Sequence, residues 1–396
     1  MEDKILQNEH LSYILNELGE NHEDYFNAIA PPIVQTSNFL FSTVEDMRHA
    51  FSHEYDVYIY SRGNNPTVEI LKQKLAALDN AEDCLVVNSG SSAVFNSVLP
   101  FVKAGAHIVS VKNPYSWAKK LFDDFLPKFR VTTTYIDGTD ILNFERAIQP
   151  GTSIIYLESP NSWMFEIQDL KAVSALAKSK NITTIIDNSY CTPLFQKPLD
   201  FGIDIAIQSA TKYIGGHSDV LGGVICSSKE NIRKIFNSEY NTAGNGCTPF
   251  NAWLLLRGLR TLPARLKQVN DNTSAFILGL ESLDIVEKII FPFHPSFPQY
   301  ALAKEQMQGA CGLLTIIVKE EYAPYIEQLC NHLKAFKMAV SWGGYESLII
   351  PKIAALNKNN IDFKNEEHRS IRIYVGLESP DYLLNDLKQA VEKAKE

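Results

Sequence analysis

No apolar run in this 396-residue chain approaches the length needed to cross a membrane. The opening residues, MEDKILQNEH, are polar and lack the apolar core of a secretory leader. Basic charge is short: 37 Lys and Arg stand against 46 Asp and Glu, giving a formal net charge of −9. With no basic stripe, neither a nucleic-acid nor an anionic-membrane partner is expected. Cysteine is scarce, and the six residues (Cys84, Cys191, Cys226, Cys247, Cys311, Cys330) are scattered. No C-x-x-C pair suggests zinc or a redox dithiol, so the six read as reduced thiols and no metal is expected. Neither G-x-x-x-x-G-K-[ST] nor G-x-G-x-x-G occurs, which removes two nucleotide-binding signatures. These absences leave an ordinary globular protein, 45% hydrophobic and 21% charged, expected in the cytoplasm.

What is present is a rhythm. From residue 84 onward, short apolar strands alternate with helices: 84–88, 107–111, 131–136, 153–157, 183–186, 201–207 and 220–226. This alternation predicts an α/β fold with a mostly parallel sheet covered on both faces. Residues 1–60 lack the rhythm, and Asn27-Ala28-Ile29-Ala30-Pro31-Pro32 cannot be a helix interior, so they read as an extended arm. Asn65-Pro66 is a helix start, with Asn as cap and Pro in the first turn, and the helix runs to about Leu78. A long helical stretch over 249–280 leads into strands near 313–318 and 371–374 and a last helix from Pro380. The expected division is an arm (1–60), a large domain (61–255) and a smaller C-terminal α/β domain (256–396).

The chemistry-bearing residues gather after strands. Strand 201–207 delivers Gln208-Ser209-Ala210-Thr211-Lys212-Tyr213, where open α/β sheets place their ligands. Ser209 and Thr211 suit a phosphate, and Lys212 suits Schiff-base chemistry. Ser89-Gly90-Ser91-Ser92 enters a helix and offers backbone N–H groups to an anion. Tyr115 and Asp187 each follow a strand directly. Singly these features are commonplace: strand-end lysines are usually solvated, Ser-Gly turns are common caps, and His217 reads as a loop hydrogen-bonder. Together, an amine, a carboxylate, a flat aromatic and a phosphate cup meet the demands of pyridoxal phosphate.

On these residues the chain resembles the trans-sulfuration, or Cys/Met-metabolism, branch of fold-type-I pyridoxal-phosphate enzymes. The motifs that carry the resemblance are Asp187-Asn188, the run from Ser209 through Lys212 to Gly215-Gly216-His217-Ser218-Asp219, Tyr60-Ser61-Arg62-Gly63-Asn64-Asn65-Pro66-Thr67, and Ser89-Gly90. The resemblance implies the fold-type-I transferase fold and makes Lys212, Tyr115 and Tyr60 the catalytic set. Lys212 would be the Schiff base, Asp187 the partner of the pyridine nitrogen and Tyr115 the stacking ring. Gly90, Ser91, Ser209 and Thr211 would hold the phosphate. Tyr60 and Arg62 would serve the neighbouring subunit's site, implying a shared-site dimer and, in this family, a homotetramer. Arg372 would take the substrate carboxylate, and Ser341 and Trp342 would also bind the substrate.

Within the family, Ser341-Trp342-Gly343-Gly344-Tyr345-Glu346-Ser347-Leu348 looks like the bacterial cystathionine β-lyases, with Val340 where γ-acting relatives carry Glu. The implied reaction is β-elimination from L-cystathionine to homocysteine, pyruvate and ammonia, in methionine biosynthesis. The alternatives are cystathionine γ-lyase, methionine γ-lyase or γ-replacement synthase activity. A non-enzymatic cofactor-binding homologue is disfavoured by the presence of Lys212, Asp187 and Arg372. Two departures stand out: Tyr115-Ser116-Trp117-Ala118 replaces the family's Tyr-Gly-x-Thr, and Asn161-Ser162-Trp163 replaces its Asn-Pro.

Overall fold

The computed structural model describes residues 2–395 and divides into two compact units. The larger comprises residues up to 159, 168–215 and 219–261; the smaller comprises 160–167, 216–218 and 262 onward. The main boundary falls after Thr261 rather than after residue 255, and two short inserts, 160–167 and 216–218, belong with the C-terminal unit.

The larger unit is built on a seven-stranded sheet: β1 (Asp83–Val87), β2 (His107–Val111), β3 (Thr132–Ile136), β4 (Thr152–Glu158), β5 (Thr183–Asp187), β6 (Ile205–Gln208) and β7 (Gly223–Ser227). Their spatial order is β1-β7-β6-β5-β4-β2-β3. β7 runs antiparallel to both neighbours and the other pairs are parallel. Alternate residues feed opposite cores: Ile154 and Tyr156 join one, Ile155 and Leu157 the other. Burial on both faces is why β4 reads as an apolar run from Ile154 to Leu157, whereas β3, at the sheet edge, is only partly buried.

Two strands differ from expectation. The apolar run from Phe201 begins with a 3₁₀ turn, Pro198–Phe201, and enters the ladder only at Ile205. Residues 220–222 stay outside β7, where the Gly222 peptide is held by Thr211: Gly222 N donates to Thr211 Oγ1 at 3.1 Å, and Thr211 N donates to Gly222 O at 3.3 Å.

Helices α1 (Glu2–Asn16), α2 (Val44–Ser52), α3 (Pro66–Leu78) and α4 (Gly90–Val98) complete the part of this unit that bears on function. Residues 1–60 are thus not a uniformly extended arm. The sequence of α1 carries no strong helical apolar period, so the helix leaves little trace in the sequence. A buried cation holds it instead. Lys74 of α3, its side chain 1% exposed, donates to the carbonyls of Ile14 (3.0 Å) and Leu15 (3.2 Å) and pairs with Glu20 at 3.0 Å. Arg260 is the second partner of Glu20, at 2.8 Å. At the start of α3, Asn65 Oδ1 accepts from Thr67 N at 3.0 Å.

The smaller unit carries a five-stranded sheet: β8 (Val286–Ile290), β9 (Leu313–Val318), β10 (Lys337–Met338), β11 (Leu348–Pro351) and β12 (Ser370–Tyr374), in the order β10-β11-β12-β9-β8. Only β10 and β11 pair in parallel. Helices Leu262–Leu280 and Pro380–Ala394 pack together in this unit. The helical stretch expected over 249–280 is broken at Thr261 into Pro249–Arg260 and Leu262–Leu280.

Candidate active site

The carboxyl ends of the parallel strands bring the chemistry of the larger unit together. β5 ends on Asp187, opposite Glu158 of β4 on one side and Ile207 of β6 on the other. Asp187 Oδ1 accepts the Ser189 N–H at 2.9 Å. The carboxyl is partly accessible to solvent, yet enough protein surrounds it that desolvation raises its pKa. Its hydrogen bonds to Ser189 and then the charge of Lys212 act in the opposite direction. Ser189 also ties the two strand ends together, because its Oγ accepts the Ser209 N–H at 2.7 Å. Beyond β6 the chain folds into a tight turn, with Lys212 N donating to Ser209 O at 3.1 Å and Gly215 N to Ala210 O at 2.8 Å.

Glycine makes the cup possible. A Cβ at Gly90 would lie 2.9 Å from Ser209 Cβ and Oγ, and one at Gly223 would lie 2.1 Å from the Ser89 carbonyl oxygen. Only residues without a side chain allow the N-terminus of α4 to sit this close to Ser209 and β7. Ser89 caps α4, its Oγ accepting from Ser92 N at 3.1 Å. Gly90 and Ser91 therefore open the helix beside Ser209, where the positive end of the dipole favours an anion. Thr211, expected in the same cup, engages its hydroxyl with the Gly222 peptide.

Tyr115 is 37% exposed, and its N–H donates to the Glu158 carboxylate at 2.5 Å. Tyr60 and Arg62 sit on the segment entering α3, with the Arg62 guanidinium 5.1 Å from the Tyr60 ring centre. Trp117 is exposed at the start of helix Ser116–Lys120.

Arg372, Ser341 and Trp342 belong to the smaller unit. Arg372 lies on β12, opposite Thr315 of β9 and Ile350 of β11. Its Nη1 donates to Ser162 O at 3.1 Å, and its Nη2 reaches Ser341 O at 3.5 Å. Ser341 has φ 82°, a left-handed conformation unusual outside glycine. Trp342 is 7% exposed, whereas Val340 is 83% exposed. Asn161 closes its own loop: its Oδ1 accepts from the N–H groups of Trp163, Met164 and Phe165, and its Nδ2 donates to Glu166 at 2.9 Å.

Sequence reasoning missed Ser189 and Trp163. Ser189 has a local signal, a hydroxyl two residues after a strand-end Asp. Trp163 has none beyond its departure from the family pattern.

A family model described as Cys/Met metabolism PLP-dependent enzyme matches residues 14–392. The chain is 36% identical over 378 residues to an L-methionine gamma-lyase of Treponema denticola, covering 93% of each. It is 34% identical over 392 residues to an L-alanine/L-glutamate racemase of Wolbachia pipientis, covering 96% of each. The crystal structure of metB from Corynebacterium glutamicum superposes with a TM-score of 0.87 at 28% identity, covering 96% of this chain and 97% of that one. The chain therefore belongs to the Cys/Met metabolism family of pyridoxal-phosphate-dependent enzymes.

Proposed function

We propose that this enzyme is a carbon–sulfur lyase that cleaves L-cystathionine by β-elimination, giving homocysteine, pyruvate and ammonia. The observation that carries the β-mode is Val340. The position before Ser341 holds an exposed aliphatic side chain with no carboxylate to draw in the distal amino group of a γ-substrate.

The residues fit the cofactor. Asp187 is a desolvated carboxylate whose protein partners are Ser189 and the charge of Lys212, and a pyridinium N–H would supply the cation it calls for. The close approach of Gly90 to Ser209 makes a cradle that any side chain on Gly90 would fill. Gly90, Ser91, Ser209 and Thr211 would hold the phosphate, Tyr115 would lie against the ring, and Lys212 would bond the aldehyde. When bound, pyridoxal phosphate acts as an electron sink for negative charge at the substrate α-carbon.

The chain's residues do the rest. Arg372 orients the substrate carboxylate through its planar fork. Lys212 Nζ would take the proton from the substrate α-carbon and return it where the leaving thiolate needs one. Asp187 would pair with the ring nitrogen and favour its protonated form. Lys212→Ala is expected to lower turnover by at least about 10²–10⁴-fold; wild-type activity in that variant would sink the assignment.

A second reading, γ-elimination, is favoured by the L-methionine gamma-lyase relative. A product assay separates the two. L-cystathionine is given to the cofactor-loaded enzyme and the keto acid identified. Pyruvate supports the β-mode; 2-oxobutyrate overturns it. Loss of optical activity from L-alanine, without keto acid from cystathionine, would align the enzyme with its racemase relative instead.

A further inference from the structure

We infer that Trp163 is a positioning residue for Arg372, setting the orientation in which the guanidinium meets a substrate's α-carboxylate. The inference rests on the reading of Arg372 given above, and goes beyond it by assigning a role to a residue outside the family's motifs.

The geometry lies wholly within the smaller unit. Ser370 and Arg372 are two apart on β12, so their side chains project from the same face of the strand. The Trp163 indole spans both. Its Nε1–H donates to Ser370 Oγ at 3.1 Å, and the Arg372 guanidinium carbon stands 5.3 Å from its ring centre. That distance is within cation–π range. The backbone around Trp163 is fixed to the same place. Thr315, the register partner of Arg372 on β9, donates its hydroxyl to the Trp163 carbonyl at 2.7 Å. The preceding carbonyl, that of Ser162, accepts from Arg372 Nη1 at 3.1 Å. Asn161 holds the loop's shape from inside by accepting three consecutive N–H groups.

Arg372 is therefore gripped at its fork by the carbonyls of Ser162 and Ser341 and from beside by an aromatic face. An arginine has several rotatable bonds, whose freedom is lost when its fork is fixed on a ligand. Holding it in one orientation before the ligand arrives removes that cost from binding. The loop that departs from the family's Asn-Pro pattern thus carries the orienting contacts.

The test is equilibrium binding of glycine to the cofactor-loaded enzyme, followed by the cofactor's visible absorbance. Methylamine, which has the amine but no carboxylate, is the control. Glycine serves because it presents only the groups common to β- and γ-substrates. Trp163→Ala is expected to weaken glycine roughly tenfold and to leave methylamine unchanged. Trp163→Phe, which keeps a ring but loses the Nε1–H, is expected to stay within about threefold of wild type. In an Arg372→Ala background, Trp163→Ala is expected to add nothing, because the two act as one unit.

The failures are distinguishable. If Arg372→Ala alone leaves glycine binding unchanged, the carboxylate role of Arg372 falls, and this inference with it. If Arg372→Ala weakens glycine but Trp163→Ala does not, only the inference falls. Equal weakening of glycine and methylamine by Trp163→Ala would assign Trp163 a general structural role and likewise overturn it.

Discussion

Asp79, at the C-terminal end of α3, is fully buried; Gln208 Nε2 donates to its Oδ2 at 2.6 Å, while Oδ1 has no partner. Desolvation pushes its pKa up to about 7, against smaller opposing effects led by the Cys226 thiol and Lys197. An unfolded Asp titrates near 3.9, so between about pH 4 and pH 7 the native state holds a proton that the unfolded state has lost. Stability from this group is fully present below about pH 4 and is lost as pH rises through about 7. The integrated effect is at most about 4 kcal/mol. Asp79→Asn keeps an acceptor for Gln208 and cannot ionise. Urea unfolding of both proteins at about pH 5 and about pH 8 is expected to show a smaller decline in the variant. An unchanged decline would mean another group titrates.

At the scale of elements, Lys74 joins α3 to the end of α1 and to Glu20. Removing one member of a buried ion pair leaves its partner uncompensated, which costs about 3–5 kcal/mol. Arg260 remains beside Glu20, so Lys74→Met is expected to fall at the lower end. The loss should be local, with faster amide exchange over residues 9–20 and little change in β4 or β5. Uniform acceleration across the sheet would contradict this placement of the contact.

The same elements show what the sequence could reveal. α3 is readable because Asn65-Pro66 states its start in local chemistry, and β2 and β9 are readable because they are buried along their whole length and mostly apolar. β8, β10 and β11 escape. Two of the four residues of β10 and β8 nearest solvent are charged lysines, Lys337 and Lys288, and β11 is only four residues long. The candidate site divides likewise. Lys212, Asp187 and Gly90 follow strand ends and could be read in order. The grip on Arg372 joins residues 209 and 210 positions apart, and no local pattern encodes such a pairing.

At the scale of the whole molecule, the family resemblance implies that Tyr60 and Arg62 serve a neighbouring copy's site, and we propose that they do. Shared sites make a sharp prediction. Lys212→Ala and Arg62→Ala proteins, each inactive alone, are mixed and allowed to exchange subunits. Heterodimers would carry one site with both residues intact, so activity should recover to about a quarter of wild type at full exchange. No recovery, with exchange verified by mass, would place Tyr60 and Arg62 outside the partner's site.

Residues 160–167 fold with the C-terminal unit, and this has a consequence during synthesis. Trp163 must wait for Ser370, 207 residues later. At about 5–20 residues per second, that interval is roughly 10–40 s. The flanking strands β4 and β5 can pair well before then, so the nascent chain carries an unclaimed tryptophan loop on an otherwise maturing sheet. Ribosome-stalled chains ending before β12 should therefore be the ones that chaperones hold longest, and release should coincide with the emergence of β12.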